Sequence, residues 1–118
     1  MTVSYEEAKD LYKMLSGVLS RRKGLYSVSA QNLGLNKKVA LVSMGDKELL
    51  LVEPKIKDST KEVWDSWEVD YSDPSKLLLF KRFVICTVQW TDYSSREEVV
   101  KEDTVFQVFG AEVQRMID

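Results

Sequence analysis

The stretch that most narrows the fold lies near the start of the chain. In "SYEEAKDLYKMLSGVL", Ser4 and Glu7 have the spacing of a capping box, and Ala8, Leu11, Tyr12, Leu15, Val18 and Leu19 recur at intervals of three and four. That spacing predicts an amphipathic helix over about residues 5 to 20. Its apolar stripe has to cover a core, so the rest of the chain must supply a layer for it to lie on.

Beyond the basic run at residues 21–23 the apolar period changes from 3.6 toward 2. "LYSVSA" alternates, while "KVALVSM" and "ELLLVEP" are short apolar runs joined by "MGDKE", whose Gly-Asp predicts a tight hairpin turn. "KDSTKEVWDSWEVDYSDPSK" is polar and aromatic by turns and carries Pro74, which predicts an irregular or edge segment suited to a site. Residues 76 to 90, "KLLLFKRFVICTVQW", form the longest strand candidate, with Val84, Cys86, Val88 and Trp90 on one face and Phe83, Ile85, Thr87 and Gln89 on the other. "TDYSSREE" turns the chain. Asp103 or Thr104 then caps a last helix whose stripe is Val105, Phe109, Val113, Met116 and Ile117. The order of elements predicts an α+β fold with an N-terminal helix, antiparallel sheets and a C-terminal helix, in one domain spanning residues 1–118.

Composition removes several functions. The net charge of −2 gives no general attraction to nucleic acid or to an anionic membrane, and the basic clusters Arg21-Arg22-Lys23 and Lys37-Lys38 read as solvated surface. No apolar run approaches the length of a membrane span, and the opening "MTVSYEEAKD" has no leader pattern, so the expected location is the cytoplasm of a host cell, or a virion assembled there. Cys86 is the single cysteine, which leaves no intrachain disulfide. The chain has no histidine, so Ser-His-Asp and Cys-His nucleophiles and imidazole-held zinc are excluded.

Three segments, in this order, carry a joint pattern: "LYSVSAQNLGLNKKVALV", "EVDYSDP" and "GAEVQRM". They resemble the three signature motifs of the peptide deformylase family, which removes the formyl group from nascent bacterial and organellar proteins. The resemblance implies a deformylase-like α+β fold. In the family a divalent metal is held by one Cys and two His, with a Glu as general acid/base and a Gln in the oxyanion hole. The gapless match puts Leu25 and Ser27 on the two glycines of the first motif and Asn32 on the oxyanion Gln, with Gln31 one residue away. In the second motif Glu68, Ser72 and Pro74 agree, Val69 stands for Gly, Asp70 for the metal-binding Cys and Tyr71 for Leu. In the third, Glu112 is retained, while Ala111 and Arg115 stand where the two His ligands would be.

These departures shape the functional expectation. Ala has no donor atom and Arg brings positive charge, so no metal and no cofactor are expected; an oxygen-ligated Mg or Ca site from Asp70, Glu112 and Glu68 is opposed by Arg115. Asn32, Asp70, Tyr71, Ala111, Glu112 and Arg115 are then relic positions, and the chain is expected not to be an enzyme. Asp70 and Arg115 are expected to form an ion pair in the vacated space, sharing a donor with Glu112. Trp64, Trp67, Tyr71 and Trp90 are expected around the former cleft, as a peptide or partner surface or as core filling. The implied function is a catalytically inactive deformylase-like module, a structural or protein-interaction component within a larger assembly, such as a bacteriophage particle. The viral part rests on the chain stopping just after the third motif, as short phage-encoded members do. The alternatives are an active or atypical-metal deformylase acting on formyl-Met peptides, and a regulator docked on the ribosome.

Overall fold

In the computed structural model, which describes residues 3–73, 75–93 and 96–117, the capped segment forms helix α1, Tyr5–Arg21. Both halves of the capping box are made: the Glu7 amide donates to Ser4 Oγ at 3.2 Å and the Ser4 amide to Glu7 Oε1 at 3.4 Å. Ala8, Leu11, Leu15 and Val18 are the buried side of the helix.

The strands are β1 (Ser27–Ser29), β2 (Val39–Met44), β3 (Lys47–Ser59), β4 (Val63–Val69), β5 (Leu77–Phe83), β6 (Ile85–Asp92) and β7 (Val99–Phe106), with a 3-10 turn at Gln31–Leu33 and helix α2 at Gln107–Ile117. Five strands form one antiparallel sheet in the order β1-β2-β3-β6-β7, and β4 and β5 form a separate two-stranded ribbon. This is the α+β arrangement that the sequence predicts.

Strand β2 is buried on both faces, and its neighbours explain why. Val39 and Leu41 join the core under α1, with Val28 and Val52, whereas Val42 joins a second core with Leu51, Val88, Val105 and Val113 of α2. A continuous Val-Ala-Leu-Val run suits a strand with a helix on either side. Strand β3 is long enough to pair with β2 and then with β6, and it changes partner through register shifts between Val52 and Lys55 and between Ile56 and Asp58. The first shift holds Glu53 at φ 49° beside Pro54, a residue without an amide hydrogen to lose.

Two expected boundaries move. The run from 76 to 90 divides between two strands, β5 and β6, which belong to different sheets and part at Val84, whose amide bonds the Glu62 carbonyl at 3.1 Å. The last helix does not begin at Asp103 or Thr104. Those residues pair with Val88 and Thr87 inside β7, Val105 meets the same core from the strand, and α2 starts at Gln107 with φ 58°. Edge pairing outweighs the capping preference of Asp and Thr. The expected turn at Pro74, and the Ser94-Ser95 part of the later turn, lie outside the described residues.

Gly110 sets how closely α2 approaches β7. A Cβ placed there would lie 3.0 Å from the Val105 carbonyl carbon and 3.3 Å from its oxygen, both backbone atoms that cannot swing away. Gly110→Ala is therefore expected to destabilise the protein by about 2 kcal/mol through overpacking, more than the ~1 kcal/mol that Ala gains over Gly in a helix. Urea unfolding measures it. A variant as stable as the parent would mean that α2 shifts freely against β7.

Candidate functional site

The three motif segments meet around Glu112 and Arg115. The first segment runs through β1 into the 3-10 turn, the second is the end of β4 with the adjoining turn, and the third is the buried side of α2, where Gly110, Ala111, Glu112, Val113 and Gln114 are all buried. Ser27, on β1, donates its hydroxyl to Glu112 Oε2 in a buried hydrogen bond. Arg115, one turn further along α2, has Nη1 4.0 Å from Glu112 Oε1 and donates through Nη2 to the Val69 carbonyl at the end of β4. A buried carboxylate is costly unless its oxygens are served, and both of these have a neighbour. Among the described residues no buried side-chain nitrogen or oxygen lacks a hydrogen-bond partner.

Beneath this cluster, Glu68 of β4 and Arg82 of β5 form a two-point pair, with Nε to Oε2 at 2.9 Å and Nη2 to Oε1 at 2.7 Å. The Arg82 guanidinium also lies over the Phe80 ring, 4.7 Å from its centre. Gln114 holds the end of β5 from the helix: its side-chain oxygen accepts from the Phe83 amide at 2.8 Å and its nitrogen donates to the Phe83 carbonyl at 2.9 Å. The sequence reading gave Gln114 no role. Its only signal was a polar residue next to the buried stripe of the last helix.

Asp70 and Arg115 do not form the expected ion pair. Asp70 Oδ1 accepts from the Ser72 amide at 3.0 Å and the Ser72 hydroxyl at 2.8 Å, the local bonding that an Asp in a tight turn favours over a distant cation. These bonds from Ser72 hold the Asp70 carboxyl below its usual range; burial acts weakly against them, and Lys76 and Arg115 add longer-range help. Arg115 is left for the Val69 carbonyl and Glu112.

Asn32 is also used locally. Its side-chain oxygen accepts from the Ser29 amide at 3.0 Å while the Ser29 hydroxyl accepts from the Asn32 amide at 3.1 Å, so the carboxamide closes its own turn. Tyr71 carries the Arg22 guanidinium 4.4 Å above its ring, and its carbonyl accepts from Arg22 Nη2 at 2.7 Å, which ties the β4–β5 turn to the end of α1.

The four aromatic residues are distributed rather than gathered. Trp90 is in the core with Cys86 and Val105. Trp64 and Trp67 are three apart on β4 and so lie on opposite faces; Trp64 lines an apolar hollow of about 660 Å³ with Val84, Ile85, Phe106 and Val108, and Trp67 is 64% exposed.

The residues at the three expected ligand positions do not fit the metal of the resemblance. Ala111 offers a methyl group, Arg115 a cation, and Asp70 is engaged by Ser72. Among the described residues no group of three or more His, Cys, Asp or Glu side chains is arranged to hold an ion.

Comparisons with known proteins agree on the frame. The family model described as polypeptide deformylase matches residues 1–118. Solved structures that the fold is similar to include a class I type b peptide deformylase from Acinetobacter baumannii (19% identity, 97% of this chain and 78% of that one, TM-score 0.81). A peptide deformylase from Thermotoga maritima is similar as well (14% identity, 98% and 77%, TM-score 0.87). So is the deformylase of the Vibrio parahaemolyticus bacteriophage VP16T, solved with actinonin (18% identity, 97% and 81%, TM-score 0.80). No curated protein matches the chain. The expectation that the chain is not an enzyme is corrected by the family match, because that family is one of enzymes and its model covers the whole chain. The expectation treated three lost ligand types as the loss of activity, and residue types alone do not establish that.

The lowered Asp70 pKa gives a signed expectation. A carboxylate held down in the folded state contributes stability above its unfolded pKa of about 3.9, and the contribution is lost as pH falls through the folded value. Ser72→Ala removes the hydroxyl bond, so its deficit in stability should be present in full at pH 6 and shrink as pH falls below the unfolded pKa of about 3.9 toward pH 2. Urea unfolding at both pH values, with the Asp70 side-chain NMR titration, checks this. A deficit that grows on acidification would contradict the assignment.

Proposed function

The chain belongs to the polypeptide deformylase family, and from that premise we propose that it acts on the formylated N-terminus of a polypeptide. The family match along the whole chain carries the reading, and the meeting of β1 with the retained acid/base residue, Glu112, and of β4 with its neighbour Arg115 supports it. Ser27 and Arg115 orient that carboxylate. Glu112 is the group available to hold or move a proton. Asp70, Ala111 and Arg115 supply no Cys/His metal centre, so recognition of the formylated peptide is the first step to test and hydrolysis the second.

Calorimetry with a formyl-Met tripeptide and its unformylated counterpart, alongside formate release, tests this. A preference of about tenfold for the formylated peptide, equivalent to 1.4 kcal/mol, is expected, and formate release extends the reading to hydrolysis. Equal or undetectable binding of both peptides would overturn it.

A second reading, a protein-interaction role, rests on one surface. On the outward face of the β4–β5 ribbon, Trp67, Leu77 and Leu79 are 64%, 57% and 47% exposed, with Trp67 directly opposite Leu79 and diagonal to Leu77. Contiguous exposed apolar side chains of this kind mark contact surfaces. Trp67→Ser with Leu79→Ser is expected to change stability by no more than about 0.5 kcal/mol per site while abolishing association with a protein partner. A variant that unfolds would show these side chains to be core and remove the reading.

A further inference from the structure

At a position where the resemblance calls for a metal ligand, the chain has a cation, Arg115. We propose that the Arg115 guanidinium is the built-in cation of this site, bracing β4 to α2 from within the chain as a metal braces two segments that both ligate it.

The geometry is specific. Nη2 donates to the Val69 carbonyl, the last residue of β4, and Nη1 lies 4.0 Å from Glu112 Oε1 on α2. The other Glu112 oxygen accepts from Ser27 on β1. One guanidinium and one carboxylate thereby join three segments that are far apart in sequence. Arg suits this because its planar fork presents five N–H donors in fixed directions, enough for a carbonyl and a carboxylate together, whereas a Lys ammonium is a point charge without that fork. The Arg115 and Glu112 side chains are only 15% and 11% exposed, so water competes weakly for either. Ser27 fits the same scheme. It stands where the first motif has a glycine, and its hydroxyl takes the carboxylate oxygen that Arg115 does not face. The bland alternative is an Arg whose contacts do nothing to hold the ribbon.

Hydrogen exchange of the native protein separates the two without any peptide, so the result is independent of whether the proposed substrate binds. In Arg115→Ala, amides of β4 and β5 are expected to exchange about tenfold faster while those of β2 change little, as local opening of the ribbon requires. About 20 mM guanidinium chloride, but not sodium chloride, should recover part of the protection by refilling the site. Should Arg115→Ala fail to fold, Arg115→Lys carries the test, with the same ribbon-selective acceleration at smaller amplitude. A chelator should leave exchange in the parent unchanged. Unchanged ribbon exchange in the variants, acceleration spread evenly over all strands, or a chelator that speeds ribbon exchange in the parent would each overturn the proposal.

Discussion

A two-stranded ribbon is marginal by itself, and here the β4–β5 ribbon supplies one of the three segments of the candidate site. Its stability depends on the Glu68–Arg82 pair, whose side chains are 2% and 5% exposed. Placing two charges so deep costs several kcal/mol per ion, and the cost is offset only where the geometry is two-pointed and the remaining donors are served. The Nε and Nη2 bonds meet the first condition. The pair therefore fixes the ribbon less by adding net energy than by penalising every other arrangement, since a slip of one residue would send one charge to the outer face and strand the other.

With the ribbon so fixed, its ends become usable handles. Gln114 takes both polar groups of Phe83 at one end, Arg115 takes the Val69 carbonyl at the other, and Arg22 takes the Tyr71 carbonyl in the turn. All three are side-chain to backbone contacts, so they position the chain whatever residue stands on the ribbon at those points. This explains how the outer face of the ribbon can hold Trp67, Leu77 and Leu79 in solvent without collapsing inward. The ribbon is held by polar clamps on its backbone, which leaves its apolar side chains outside the core.

Much of the frame was legible because local signals agreed with the tertiary result. The Ser4–Glu7 box marks the start of α1, and the Gly45-Asp46 turn, with Gly45 at φ 61°, joins β2 to β3 where the hairpin was expected. The break at Val84 was not legible, since the apolar run Phe83-Val84-Ile85-Cys86 passes through it with no turn residue and only the change of partner strand reveals two sheets. The start of α2 was misplaced because Asp103 and Thr104 serve equally as cap residues and as edge-strand residues, and pairing with β6 decided between them. At the site, the motif order located the three converging segments, but not which side chain meets which. Asp70 and Arg115 were a natural pair by charge. Ser72, two residues from Asp70, was a closer partner, and short-range turn bonding took precedence.

Ser27, Glu112 and Arg115, with the Val69 carbonyl, form one coupled set of contacts. Glu112 accepts from Ser27, faces Arg115, and shares through Arg115 the anchoring of Val69, so each side chain is satisfied by the others. Residues in one network have interaction energies that do not add, commonly about 0.5–3 kcal/mol. Restoring a His at Arg115 alone would release the Val69 carbonyl and bring a donor with no partner ligand at Ala111. Restoring a glycine at Ser27 alone would deprive Glu112 Oε2 of its donor. Each intermediate is worse served than either end state, because a buried acceptor left without a partner costs about 1–3 kcal/mol. A site of this kind responds to substitution as a unit, so the effect of changing Ser27, Glu112 or Arg115 depends on which of the other two is present.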